Sequence, residues 1–207
     1  MKKYTVTISR EFGCGAREIG NMFAKRLGVV FYDKDLIDMT AQRAGVRREA
    51  IQDFEEEVQA DEVKRLLREF GYGSSTLFYS DAAINVQAEI IRELAEKQSA
   101  VFFGRCSDYI LRDIDNCFNI FLYAPIEERV KHIATEYNLS VKKAEKLIGR
   151  VDRQRHNYYK YVTGSNRGDR AHNSLMLDVS RFGKEGSVEM MVDACKLLFG
   201  PDILSEE

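Results

Sequence analysis

The sequence predicts an α/β fold, a parallel sheet covered on both faces by helices, and three observations carry that expectation. Residues 4–8, 29–32, 100–104 and 117–123 read as continuous apolar strands, the composition of strands buried on both faces. Helical patterns lie between them, which suits crossover connections. A glycine-bearing turn joins the first strand to the first helix, and ligands in such sheets gather at the carboxyl ends of the strands. The 207 residues suffice for one sizeable core with a small insertion or lid, not for two full domains.

The first strand runs into ISREFGCGAREIG at residues 8–20. Gly13 and Gly15 can adopt positive φ and crowd backbone N–H groups round an anion, while a helix beginning near Arg17 aims its partially positive end at the same spot. This is phosphate-binding geometry, with an ordinary tight turn as the alternative. The GxxxxGK[ST] pattern is not met, because Ala16 stands at the Lys position when Gly15 is the last Gly. Ile19, Phe23, Ala24 and Leu27 share one face of the first helix, and Gly28 stops it. Asp33 follows the second strand, where it is either a ligand group or a cap of the next helix.

Residues 34–70 are helical, polar and charged, with a break at Gly45, and GYGSST at 71–76 is a turn-rich linker. A helix over 81–96 buries Ile84, Ala88, Ile91 and Ala95 and feeds the third strand. After the fourth strand, Pro125 suits the first turn of a helix that faces Ile126, Val130 and Ile133 inward, with Glu127 and Glu128 at its positive end. Ser140 caps the next helix, which turns Val141, Ala144, Leu147, Ile148 and Val151 inward and its basic residues outward. A polar stretch at 163–173 leads to a closing strand at 174–180 and a helix over 184–199.

Hydrophobic residues make up 44% and charged residues 31% of the chain, the balance of a soluble globular protein. No run reaches membrane-spanning length and the first residues carry no secretory pattern, so a cytoplasmic location is expected. Cys14, Cys106, Cys117 and Cys195 show neither CxxC pairing nor a His partner at ligand spacing, so buried free thiols are expected rather than zinc or disulfides. Cys14 alone sits in a loop at a helix N-terminus, where a thiol pKa can fall. The net charge of −2 hides a block at residues 142–170, where nine Lys or Arg face only Glu145, Asp152 and Asp169. Such a block either coats a solvated helix or meets anions, and in an overall acidic chain without a nucleic-acid motif small phosphate ligands are expected over nucleic acid.

In their order, ISREFGCGAREIG (8–20), LGVVFYDKDLI (27–37), FFGRCSDYIL (102–111) with FLYAPIEERV (121–130), and VDRQRHNYYKYVTG (151–164) with LMLDVS (175–180) resemble the cytidylate kinase-like proteins. The resemblance spans nearly the whole chain. It implies a P-loop NTPase-type parallel sheet in one kinase-like domain, residues 1–207. The core would be 1–33, 81–140 and 174–207, the helical acceptor-binding insertion about 34–80, and the Arg-rich lid about 141–173. The implied activity is transfer of a phosphoryl group from ATP, with Mg²⁺, to a nucleoside monophosphate such as CMP or dCMP. The implied partners are small nucleotides only, with neither nucleic acid nor membrane, and the implied state is monomer or homodimer.

The resemblance places the phosphate loop on Arg10, Gly13, Cys14, Gly15, Ala16, Arg17 and Glu18. Asp33, Arg105 and Asp108 fall on the acceptor side, and Arg17, Arg105, Arg150, Arg153 and Arg155 on the transferring phosphoryl group. Guanidinium forks and backbone N–H groups suit that chemistry, which asks for positioning and charge neutralisation. Ala16, Arg17 and Glu18 replace the family's Lys and Gly-Thr, so Arg17, or else Arg10, would have to take the place of the Lys and Glu18 would hold the metal. The alternative is a nucleotide-binding sensor with a degenerate P-loop and little or no catalysis.

Overall fold

The computed structural model describes residues 3–45 and 81–203, with the backbone alone for residues 81–83. The expected linker at 71–76 and most of the expected helical insertion lie outside the described residues.

The described residues contain five strands, β1 (Thr5–Arg10), β2 (Val30–Tyr32), β3 (Ala100–Phe103), β4 (Cys117–Tyr123) and β5 (Leu175–Asp178). They contain seven α-helices, α1 (Ala16–Leu27), α2 (Asp35–Ala44), α3 (Asp81–Lys97), α4 (Ser107–Ile110), α5 (Ile126–Glu136), α6 (Val141–Thr163) and α7 (Val179–Phe199). The strands form one sheet in the order β2-β3-β1-β4-β5. All pairs are parallel, with Ile8 of β1 opposite Phe103 of β3 and Ile120 of β4. Two compact units are present, one within Met1–Tyr32 and Leu94–Glu207 and one within Asp33–Glu93.

The first unit holds the whole sheet. Its central strands are covered on both faces, and Val6, Ile8, Val101, Ile120 and Leu122 are fully buried. Ile19, Phe23, Ala24 and Leu27 of α1 join the same cluster as Val188, Met191, Val192 and Cys195 of α7, each large side chain adding about 1.5–3 kcal/mol on burial. The second unit contains α2, closed by Gly45 in the left-handed region. There the Arg43 guanidinium donates twice to the Glu93 carboxylate, at 2.7 and 2.9 Å.

Ser140 caps α6 as expected, its hydroxyl accepting from the Lys143 N–H. Three expectations are corrected. Val141 and Ile126 are exposed, each at the first position of its helix, where no preceding turn covers it. The closing strand ends at Asp178, because that carboxylate accepts from the Ser180 N–H at 3.0 Å and starts α7 there. Gly183, at φ 65° and ψ −175°, then kinks the helix, so the continuous stretch is the 184–199 segment the pattern showed.

Candidate functional site

Between β1 and α1, at the carboxyl edge of the central strand, the chain makes the glycine turn. Gly13 has φ 87°, and a Cβ there would come within 2.9 Å of Ile133 Cγ1 and 3.2 Å of the Arg129 carbonyl. Gly15, at φ 75°, is the N-cap of α1 and has no side chain with which to cap the first turn. The first N–H groups of α1 and its partial positive charge therefore face the loop.

The start of this loop is held from behind. The Glu11 N–H donates to the Leu122 carbonyl at 3.0 Å, and the Phe12 N–H to Asp152 Oδ1 at 2.9 Å. Arg129 Nη1 donates to the Phe12 carbonyl at 3.1 Å and to Asp152 Oδ2 at 2.7 Å. Its Nε reaches the Ala124 carbonyl at 3.1 Å and Glu11 Oε2 at 3.2 Å. Arg167 donates from Nη2 to Asp152 Oδ1 at 2.9 Å and from Nη1 to the Arg10 carbonyl. His132 Nδ1 lies 2.7 Å from the Gly13 carbonyl, and since a carbonyl only accepts, that nitrogen carries the proton.

Two arginines and two carboxylates thus meet with no net charge, the condition under which buried ions are tolerated. Burial lowers the Arg167 pKa from its ordinary value, with Arg155 nearby acting in the same direction. Sequence reasoning takes Asp152 only as charge balance within the basic block. The legible signal was its position on α6, an acid set between inward-facing Val151 and the half-buried Arg155.

The remaining arginines divide. The Arg10 guanidinium carbon lies 3.9 Å from the Phe103 ring centre and that of Arg17 lies 5.9 Å from the same centre. Arg155 stands 5.5 Å over the ring of Phe12. Arg150 and Arg153 are exposed on α6, so of the three expected lid arginines Arg155 packs on the loop. Beyond β3, Gly104, Arg105 and Cys106 are successively left-handed, at φ 76°, 59° and 54°. Non-glycine residues avoid this region, and such departures concentrate at functional sites. A Cβ at Gly104 would overlap the Arg10 guanidinium, so the bare backbone there admits Arg10.

Asp108 is buried on α4, and its Oδ2 accepts from the Tyr159 hydroxyl of α6 at 2.7 Å. Burial raises its pKa above the ordinary carboxylate range, opposed by that hydrogen bond. Asp33 belongs to the second unit and is buried, one residue before Lys34, the N-cap of α2. Glu18 pairs with Lys184 of α7. No group of three His, Cys, Asp or Glu able to hold a metal occurs among the described residues. Cys14 departs from expectation in direction. Its thiol is buried, donates to the Glu11 carbonyl at 3.2 Å, and is pushed up to about 11 chiefly by burial.

Among solved structures, an uncharacterized protein from Eubacterium ventriosum ATCC 27560 is similar at 20% identity and a TM-score of 0.71, covering 95% of this chain and 99% of that one. A shikimate kinase from Bacteroides thetaiotaomicron is similar at 13% identity and a TM-score of 0.53, covering 93% and 98%. A gluconokinase from Sinorhizobium meliloti 1021 is similar at 10% identity and a TM-score of 0.55, covering 97% and 99%. These likenesses establish the kinase fold. No curated protein matches the chain. The model of the cytidylate kinase-like family matches residues 5–181, from the first strand through the glycine turn to the start of α7, and the chain belongs to that family of nucleotide-binding, kinase-like proteins.

Proposed function

We propose that this protein transfers a phosphoryl group from ATP to a nucleoside monophosphate such as CMP or dCMP. The observation that carries the reading is the glycine turn at the end of the central strand, with the guanidinium groups of Arg10, Arg17 and Arg155 packed on Phe103 and Phe12 around it. The N–H groups at the start of α1 and the side chain of Arg155 bind the donor phosphates, and Arg17 takes the charge-neutralising place of the absent lysine. Arg105, held beyond β3 by its left-handed backbone, meets the acceptor phosphate. Phosphoryl transfer requires little else of a protein than this positioning and neutralisation.

Family membership implies a metal with ATP, but the pairing of Glu18 with Lys184 does not fit a cradle built by this loop. The same observation, with Ala16 at the lysine position, favours a second reading: a nucleotide sensor that keeps the fold and has given up rapid catalysis.

ATP-dependent turnover across all common nucleoside monophosphates, CMP, dCMP and UMP included, separates the readings. Turnover supports the kinase. ATP or GTP binding by calorimetry without turnover selects the sensor, and neither binding nor turnover rejects both.

A further inference from the structure

The resemblance treats the basic helix as a lid that closes over the donor. The bonds around Asp152 assign α6 a different part at this point along its length. Both oxygens of Asp152 are occupied, Oδ1 by the Phe12 N–H and Arg167 and Oδ2 by Arg129. Arg129 also returns to the Phe12 carbonyl and Arg167 to the carbonyl of Arg10. One carboxylate on α6 therefore pins the first half of the phosphate loop at three backbone atoms, once directly and twice through an arginine.

Two consequences follow from that geometry. The N–H groups of Glu11 and Phe12 are spent on Leu122 and Asp152, so the donors left to face an anion begin at Gly13. Arg155 lies three residues beyond Asp152 on the same helix and so on neighbouring surface, which sets its guanidinium over Phe12. Resting on the proposed phosphate-binding reading of this loop, we infer that Asp152 is a positioning residue: it locks α6 to the phosphate loop, so that Arg155 and the loop's N–H groups form one preset anion cradle.

The test uses the full chain and variants Asp152→Asn, Asp152→Ala and, as a control for lost stability alone, Val192→Ala in the buried α7 core. Hydrogen exchange of the Phe12 amide is read in the nucleotide-free protein, and ATP affinity by calorimetry. Asn keeps an oxygen for the Phe12 N–H but loses the charge that holds both arginines. We expect wild-type exchange within about threefold for Asn and at least tenfold faster exchange for Ala, with ATP Kd raised roughly tenfold in both, the scale of one charged contact. Val192→Ala should change neither quantity at the temperature used.

Unchanged exchange and Kd in Asp152→Ala would overturn the inference, as would an equal change in Val192→Ala. Should Asp152→Ala fail to fold, Asp152→Asn decides: a wild-type ATP Kd there overturns the positioning role. A wild-type protein that binds no ATP rejects the proposed function instead, and the Phe12 exchange arm still decides whether Asp152 pins the loop.

Discussion

At Phe103 two guanidinium groups meet one aromatic ring, Arg10 closely and Arg17 at greater distance. Each contact is worth about 0.5–2 kcal/mol and, more to the point, fixes where a flexible cation stands. If Arg17 replaces the missing lysine, Arg17→Ala should lower kcat roughly a hundredfold, the scale of losing one transition-state donor. Arg105→Ala should instead raise the acceptor KM, because its contact is made in ground and transition states alike. Steady-state kinetics varying each substrate in turn checks both, and an Arg17→Ala variant with wild-type turnover would remove Arg17 from the mechanism. Gly104→Ala tests Arg10 without touching it. The added methyl must displace the Arg10 guanidinium and also strain a backbone at φ 76°, so it should reproduce the kinetic loss of Arg10→Ala. The Cys14 thiol points into the protein rather than taking part in the loop's chemistry. With its pKa pushed up to about 11, it stays protonated at pH 8 and should react with a disulfide reagent far more slowly in the folded protein than after denaturation.

Among the elements, α6 carries the most consequences. Its N-terminus is set by Ser140, its middle is fastened to the phosphate loop through Asp152, and its last turns hold Tyr159 against Asp108 of α4. A cap of this kind contributes about 1 kcal/mol, so Ser140→Ala should lower the unfolding free energy by that amount while leaving nucleotide affinity alone, as denaturant titration and calorimetry would show. The glycine turn is less forgiving. Gly13→Ala combines an unfavourable φ with a methyl pressed against Ile133 and the Arg129 carbonyl, so it should impair both stability and ATP binding.

For the whole molecule, the buried Asp108 makes stability depend on pH. Its folded-state pKa is raised, so the folded form binds the proton more tightly than the unfolded chain does. The stability gained from that proton is fully present below the unfolded value of about 4 and is lost as pH rises through the folded value. Asp108→Asn keeps an oxygen for the Tyr159 hydroxyl and carries no charge. It should raise Tm at neutral pH, with the gain vanishing below about pH 4; a gain independent of pH would rule out ionisation as the cause. At the same scale, no helix among the described residues is long and apolar enough to cross a membrane.

What the sequence determined by itself was local and periodic. Continuous apolar strands, the helical face of Ile19, Phe23, Ala24 and Leu27, the glycine turn and the Ser140 cap each depend on neighbours a few residues away, and all stand in the structure. Motif order was enough to reach the family. Tertiary structure decided which charges work together. Arg129, Asp152 and Arg167 lie far from Phe12 along the chain, and only the packing of α5, α6 and the segment after α6 against the end of β1 makes them one part-buried ion-pair network. Helical spacing placed Arg150 and Arg153 beside each other, but both face solvent while Arg155 reaches the loop. Periodicity assigns a residue to a face of its own helix; which partner that face meets, and whether a buried charge is balanced there, depends on residues distant in sequence.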